Sequence, residues 1–241
     1  MTGDSSGIDI PDGIGRWMDV QRLGRRGYSE VHALQSELLD ARIAGRIRDT
    51  LVLVEHDPVV TVGRGTGPSD VENLDIPVVE VERGGEATYH GPGQVVAYPI
   101  LELPEDRRDL HRYLRDLEEV VLRVLAEFDI SGRREEGATG VWVGDRKIAS
   151  IGVAVRRWVT WHGLALNVHT DLTSFQGFQP CGLRPEVMTR LADLVDLPPG
   201  NILCEVLVVK HILEVFGLEL PPAPDRGSEP QDGYPDLPIL G

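Results

Sequence analysis

Val141-Trp-Val-Gly-Asp-Arg-Lys-Ile-Ala-Ser-Ile-Gly-Val-Ala-Val155 reads as two β-strands joined by a tight turn. Val141–Val143 is apolar, Gly144-Asp145 suits a two-residue primed turn, and Arg146–Val155 is apolar or small on both of its alternating faces. Trp158–Val168 follows as a third strand, so three strands lie in succession. Upstream, Leu51–Glu55 is a continuous apolar run, the pattern of a strand covered on both faces. Val78–Val81 and Val95–Ile100 add two more strands. Helical spacing predicts helices over 30–48, 110–128, 185–194 and 202–216. The second is the clearest: Leu110, Tyr113, Leu114, Leu117, Val121, Val124, Leu125 and Phe128 recur at helical spacing behind an Asp109 N-cap. The last ends at Gly217, a natural C-cap. Strands and helices mixed in this irregular order predict an α/β (α+β) domain around a mixed β-sheet flanked by helices.

That domain is expected over 16–220. Residues 1–15 read as a loose arm, and 221–241, with six prolines, as an extended tail. No apolar run approaches the roughly 20 residues of a membrane span, and the polar, acidic N-terminus lacks signal-peptide character. Two cysteines make no disulfide framework, so a cytoplasmic setting is expected. The net charge of −15 argues against a general nucleic-acid binder, which would present a basic surface. Arginines do cluster locally, at 107, 108, 112 and 115, at 133–134 and at 156–157, as solvated faces or as local basic patches. Walker-type, dinucleotide-binding and His-Glu-x-x-His signatures are absent, and no set of His, Cys and carboxylate residues shows metal-ligand spacing.

Chemistry concentrates elsewhere. Arg83-Gly-Gly-Glu-Ala-Thr-Tyr-His-Gly-Pro-Gly-Gln94 carries four glycines in twelve residues, more than a surface turn requires. Such a loop lets the backbone come close to a bound group. Cys204 falls among apolar residues on a predicted helix and reads as core. Cys181 lies between Pro180 and Gly182, ahead of the helix expected from Pro185, where backbone N–H groups would favour a thiolate; an incidental cysteine fits the local sequence equally. Lys147 falls on a strand with two apolar faces, either desolvated or with its stem on the core and its head in water. Beside a thiol it could stabilise a thiolate or carry protons. Gly163 and Ala165 share a strand face, leaving room for a slender ligand or for close backbone packing. His90 and His162 are open as donors, bases or satisfied core residues, and His56 reads as structural.

Taken in order, Leu53–Arg64, Arg83–Gln94, Gly140–Val143, Lys147–Gly152, Trp161–Asn167 and Pro180-Cys-Gly182 resemble the lipoyl(octanoyl) transferase family over about 16–217. The resemblance implies the fold of the biotin and lipoate protein ligases. It implies a Cys181/Lys147 dyad, with Cys181 as acyl-thioester nucleophile and Lys147 lowering its pKa. It also implies an acyl-binding wall from Arg83, Gly84, Gly85, Glu86, Ala87, Thr88, Tyr89 and His90, from Ser150, Ile151 and Gly152, and from Gly163, Leu164 and Ala165. The implied donor is octanoyl-acyl carrier protein, its thioester carried on a phosphopantetheine arm. The implied acceptors are lipoyl domains of 2-oxoacid dehydrogenase E2 subunits and the glycine cleavage H protein, with neither ATP nor a metal, nucleic acid or membrane involved. Arg133–Arg134 and Arg156–Arg157 are the expected patches for an acidic carrier. Asp57 and Trp161 depart from the family's commoner proline and tyrosine. The rival readings are an ATP-dependent lipoate or octanoate ligase and a thioesterase.

Overall fold

The computed structural model describes residues 16–65, 71 and 74–222. The expected arm and all but the first two residues of the expected tail lie outside the described residues. Among the described residues, eleven strands and three α-helices follow in the order β1 (Arg16–Arg26), α1 (Tyr28–Ile43), β2 (Asp49–His56), β3 (Val59–Val62), β4 (Val78–Glu80), β5 (Thr88–His90), β6 (Gln94–Ile100), α2 (Leu110–Ala126), β7 (Arg133–Glu135), β8 (Ala138–Val143), β9 (Arg146–Arg156), β10 (Val159–Asn167), α3 (Asn201–Phe216) and β11 (Leu218–Glu219).

Eight strands form one mixed sheet in the order β11-β1-β2-β6-β10-β9-β8-β7. β1 runs parallel to β11 and to β2, and every later pairing is antiparallel. Alternation sorts the two faces. Leu51, Leu53, Val95, Ala97, Leu164 and Leu166 pack beneath α2 and α3. Val52, Val54, Val96, Tyr98 and Ala165 pack beneath α1. With helices on both faces, the central strands are buried along their length except at Glu55 of β2, which is why β2, β6 and β10 read as apolar runs. A second sheet, β4-β3-β5, packs with Phe175, Phe178 and Met188 around the segment that carries Cys181.

The hairpin forms as expected: Val143 pairs with Arg146, and Gly144 takes φ +55° in the turn. Asp109 caps α2 by accepting from the N–H groups of His111 and Arg112. Gly217 ends α3 in the left-handed region. The first helix stops earlier than expected, because Gly45 at φ +68° turns the chain into β2. The helix expected over 185–194 does not exist. Two single 3-10 turns, Pro185–Val187 and Leu191–Asp193, flank an extended piece that bridges β9 through Lys147 and Met188. Thr189 donates its N–H to the Lys147 carbonyl (2.9 Å), so strand pairing satisfies the backbone groups that a helix would have paired internally.

Candidate active site

A cavity of about 380 Å³ opens between α1, α2, the β9–β10 rungs and the glycine-rich loop. Lys147 and Cys181, distant in sequence, both line it. So do Arg83, Gly84, Gly85, Glu86, Thr88 and His90 from the loop, Ser150, Ile151 and Gly152 from β9, and Gly163, Leu164 and Ala165 from β10. Ala87 and Tyr89 do not. Both are buried in the cluster around the small sheet, where Tyr89 meets Phe175 edge-on at 5.4 Å. Alternation along β5 sends Thr88 and His90 to the cavity and Tyr89 away from it. Ala87 acts through its backbone instead, accepting the Cys181 N–H at 2.8 Å.

Cys181 lies in a 3-10 turn, Pro180–Gly182, at φ +54°, a conformation that costs a non-glycine residue of order 1 kcal/mol or more. The thiol is partly exposed, and its Sγ lies 3.7 Å from Ser150 Oγ. With no α-helix behind Pro185, a helix N-terminus does not act on this thiol. The backbone N–H groups next to it are also occupied: that of Cys181 by Ala87, that of Gly182 by the Gln179 carbonyl (3.2 Å). The cationic field comes from another direction. The Arg83 guanidinium is close enough for its charge to couple with Cys181. Burial lowers the Arg83 pKa, and the attraction to Cys181 works against that shift.

Arg83 is 7% exposed and forms no ion pair among the described residues. It donates to the carbonyls of Gly84 (3.2 Å), Glu86 (2.8 Å) and Thr61 (2.9 Å), and to Thr61 Oγ1 (2.9 Å). The arginine therefore staples the glycine loop to β3 and holds its charge beside the cavity without an ion-pair partner among the described residues.

Lys147 is 2% exposed. Its Nζ donates to the Thr139 carbonyl (2.9 Å) and lies 4.8 Å from the Trp142 ring centroid. Room for the side chain is made by Gly140, at φ +130°: a Cβ there would fall 2.7 Å from Lys147 Cε and 2.5 Å from the Ala149 carbonyl oxygen. Gly140 is itself held by Glu118 of α2, a carboxylate 1% exposed that accepts the Gly140 N–H (3.1 Å) and pairs with Arg115 and Arg134. Gly163 resolves differently from a ligand gap. A Cβ there would meet the Ala97 carbonyl oxygen at 2.2 Å, so glycine is required for close packing of β10 on β6.

The inner wall is polar and neutral. Burial holds His90 and His162 on this wall down at about 3, and His56, which lies behind it against the Tyr98 hydroxyl, at about 4. His90 Nδ1 donates to Gln94 Oε1 (2.8 Å), while Gln94 Nε2 donates to Tyr89 O (3.2 Å) and to Asn167 Oδ1 (2.9 Å). That order of donors leaves His90 Nε2 as a free lone pair. Thr88 Oγ1 is buried with no hydrogen-bond partner among the described residues. Tyr28, Tyr98 and Thr139 also line the wall and carry no signal for it in sequence, and Leu114, expected only as part of the apolar face of α2, lines it too.

The expected basic patches are largely neutralised. Arg133 pairs with Glu135 and Asp145, Arg134 with Glu118 and Glu119, and Arg156 with Asp40, leaving Arg157 as the free cation of the four among the described residues. No described helix is long and apolar enough to cross a membrane.

Over residues 27–211 the chain matches the family described as the lipoyl protein ligase A/B catalytic domain. An octanoyltransferase of Geobacter metallireducens is 47% identical over 181 residues, covering 75% of this chain and 85% of its own. Another, from Rubrobacter xylanophilus, is 50% identical over 212 residues, covering 83% and 94%. Among solved structures, a bipartite lipoate protein ligase from Thermoplasma acidophilum superposes with TM-score 0.68 at 18% identity, covering 85% of this chain and 86% of that one. Biotin protein ligase from Aquifex aeolicus, in complex with biotin and ATP, gives 0.53 at 14% identity, covering 84% and 71%. At such identities the structural likeness carries the fold alone: a mixed sheet flanked by helices, as in the biotin and lipoate protein ligases.

Proposed function

The chain belongs to the lipoyl protein ligase A/B catalytic-domain family, among its octanoyltransferases, and from that premise we propose a covalent route through Cys181 that draws its octanoyl group from an acyl carrier protein. The observation that carries this reading is the meeting of Cys181 and Lys147 in one cavity, with the buried charge of Arg83 beside them.

The cavity has the depth for a medium acyl chain. Cys181 Sγ lies at Ser150, which pairs with Ala165 on β10. His162, also on the wall, is three residues further along β10, or about 10 Å at 3.3 Å per residue. An extended octanoyl chain matches that span, passing the Gly152–Gly163 rung, which shares a strand face with Ser150 and Ala165.

Acylation begins when the Cys181 thiolate adds to the carbonyl carbon of an octanoyl thioester. The oxyanion that develops needs donors already aimed at it. The Cys181 and Gly182 N–H groups are engaged, so the Thr88 hydroxyl and the Lys147 ammonium take this role. Collapse expels the carrier's thiolate, which takes a proton from Lys147. One thioester replaces another at little net cost. The ε-amine of a lipoyl-domain lysine then attacks the acyl-enzyme and gives up a proton to the neutral Lys147. An amide forms, and the Cys181 thiolate and Lys147 ammonium are regenerated. The donor is already activated, so the cycle consumes no ATP.

The test is intact-mass measurement after mixing the protein with octanoyl-acyl carrier protein without ATP. The expected result is a mass gain of one octanoyl group, absent in Cys181→Ser and discharged by a lipoyl domain. An adduct on the lipoyl domain that forms only with ATP would assign the chain to the adenylating ligases instead.

A further inference from the structure

His32 of α1, Glu82 after β4 and His162 of β10 come from three separate parts of the chain and converge beside the cavity wall. His32 Nε2 lies 3.0 Å from Glu82 Oε2, and His162 Nε2 lies 3.7 Å from the same oxygen. All three ligand atoms fall within 4.8 Å of one another.

His162 is the unusual member. It is 2% exposed, and its Nε2 is buried with no hydrogen-bond partner among the described residues. Leaving such an atom unmatched is costly, and native proteins rarely tolerate it without a reason. Its backbone is also strained, at φ +57° within a stretch of β10 that stays paired with β9 through Trp161, His162 and Gly163. The strain aims the ring: His162 lies against Trp161 (4.5 Å between centroids) and faces His32 (5.8 Å). Backbone strain of this kind at a buried polar group points to a function for the ring.

We infer that His32, Glu82 and His162 form a binding site for one divalent transition-metal ion of borderline softness, with Zn²⁺ as the best-fitting ion. Two imidazoles and one carboxylate are a recurrent zinc ligand set, with water in the fourth position. Zinc–ligand bonds of about 2.0–2.1 Å place tetrahedral ligand atoms about 3.4 Å apart, close to the 3.0 and 3.7 Å already present. The ion would replace the proton shared by His32 and Glu82 and would bond to the orphaned His162 nitrogen. Glu82 is exposed and provides the entry path, and at His162 its negative charge opposes the effect of Arg83. Hard ions are disfavoured, because Mg²⁺ and Ca²⁺ seek all-oxygen shells. An ion so held would tie α1, the segment leading into the glycine loop and β10 together at the inner end of the cavity. The inference is independent of the acyl-transfer route.

The experiment is calorimetric titration of the apo protein with Zn²⁺ in a Cys181→Ser background, which removes the one partly exposed thiol. The expected result is uptake of one Zn²⁺ per chain, not displaced by excess Mg²⁺ and accompanied by a rise in Tm. His32→Ala and Glu82→Gln, both at positions with solvent access, should each weaken it by at least about tenfold. Absence of saturable uptake, or uptake of unchanged affinity in both variants, would overturn the site.

Discussion

Thr88 and Gly140 show what individual residues contribute. Thr88 buries a hydroxyl without a partner among the described residues, at a cost of about 1–3 kcal/mol unless substrate supplies the missing bond. Thr88→Val, similar in shape, should therefore slow acylation of Cys181 by about 100-fold, and Thr88→Ser should recover most of it. Equal rates for the two variants, in single-turnover mass measurements, would remove Thr88 from the chemistry. Gly140→Ala should push Lys147 out of its slot, because the added Cβ meets Lys147 Cε and the Ala149 carbonyl oxygen. Both a lowered urea midpoint and a loss of acylation are expected, and wild-type behaviour in both would show that Lys147 is not confined by this contact. At this scale the sequence was legible only in part, even where a residue's chemistry is rare. The local settings of Cys181 and Lys147 left an incidental cysteine and a water-reaching lysine equally open, and it was the family resemblance that joined the two residues, which both line the cavity. Tyr28 and Tyr98, which look like ordinary core aromatics, could not be singled out. The triad of His32, Glu82 and His162 was invisible because its members are spread over three elements and no spacing rule connects them.

At the scale of elements, periodicity identified what it could act on. α2 has a clean apolar face and a capping aspartate, and it formed where expected. β1 escaped notice because, of its eleven residues, only Met18 is fully buried; its strand conformation comes from parallel register with β2, from Met18 opposite Asp49 onward. The helix expected over 185–194 failed for the opposite reason: a local preference was overridden by pairing with β9. The turn between β9 and β10 carries a testable local conflict. Arg156 pairs with Val159, so Arg157 and Trp158 form a two-residue loop, at φ +52° and +65°. Primed turns favour Asn and Gly at such positions, and Arg157 has no ion pair among the described residues to lose. Arg157→Asn should raise the unfolding free energy by about 0.5–1 kcal/mol, read as an increased urea midpoint at unchanged slope. A decrease would mean that the Arg157 side chain has a stabilising role in solution.

Across the whole molecule, net charge and local field differ. A chain at −15 still places a buried arginine beside its thiol, while most of its surface arginines are consumed by neighbouring carboxylates. Composition could report the total and could not report that partition. The same burial makes the fold sensitive to acid. His56 and His90 lie 5.7 Å apart between ring centroids, and desolvation is the main cause of the low pKa of each, about 4 and about 3. In the unfolded chain both would titrate at about 6.5. Above that pH neither state is protonated, and the two rings give stability no pH dependence. Below it the unfolded chain takes up protons that the folded protein refuses until about pH 4. Stability must therefore fall as pH drops from about 6.5, with a limiting slope of about 1.4 kcal/mol per pH unit for each ring. Urea unfolding followed by tryptophan fluorescence at pH 7.5, 6.0 and 5.0 should show a midpoint that is level at first and then descends before the carboxylates begin to titrate. A midpoint that stays level to pH 5.0 would mean that both rings accept protons inside the folded protein, and the neutral inner wall of the cavity would have to be given up.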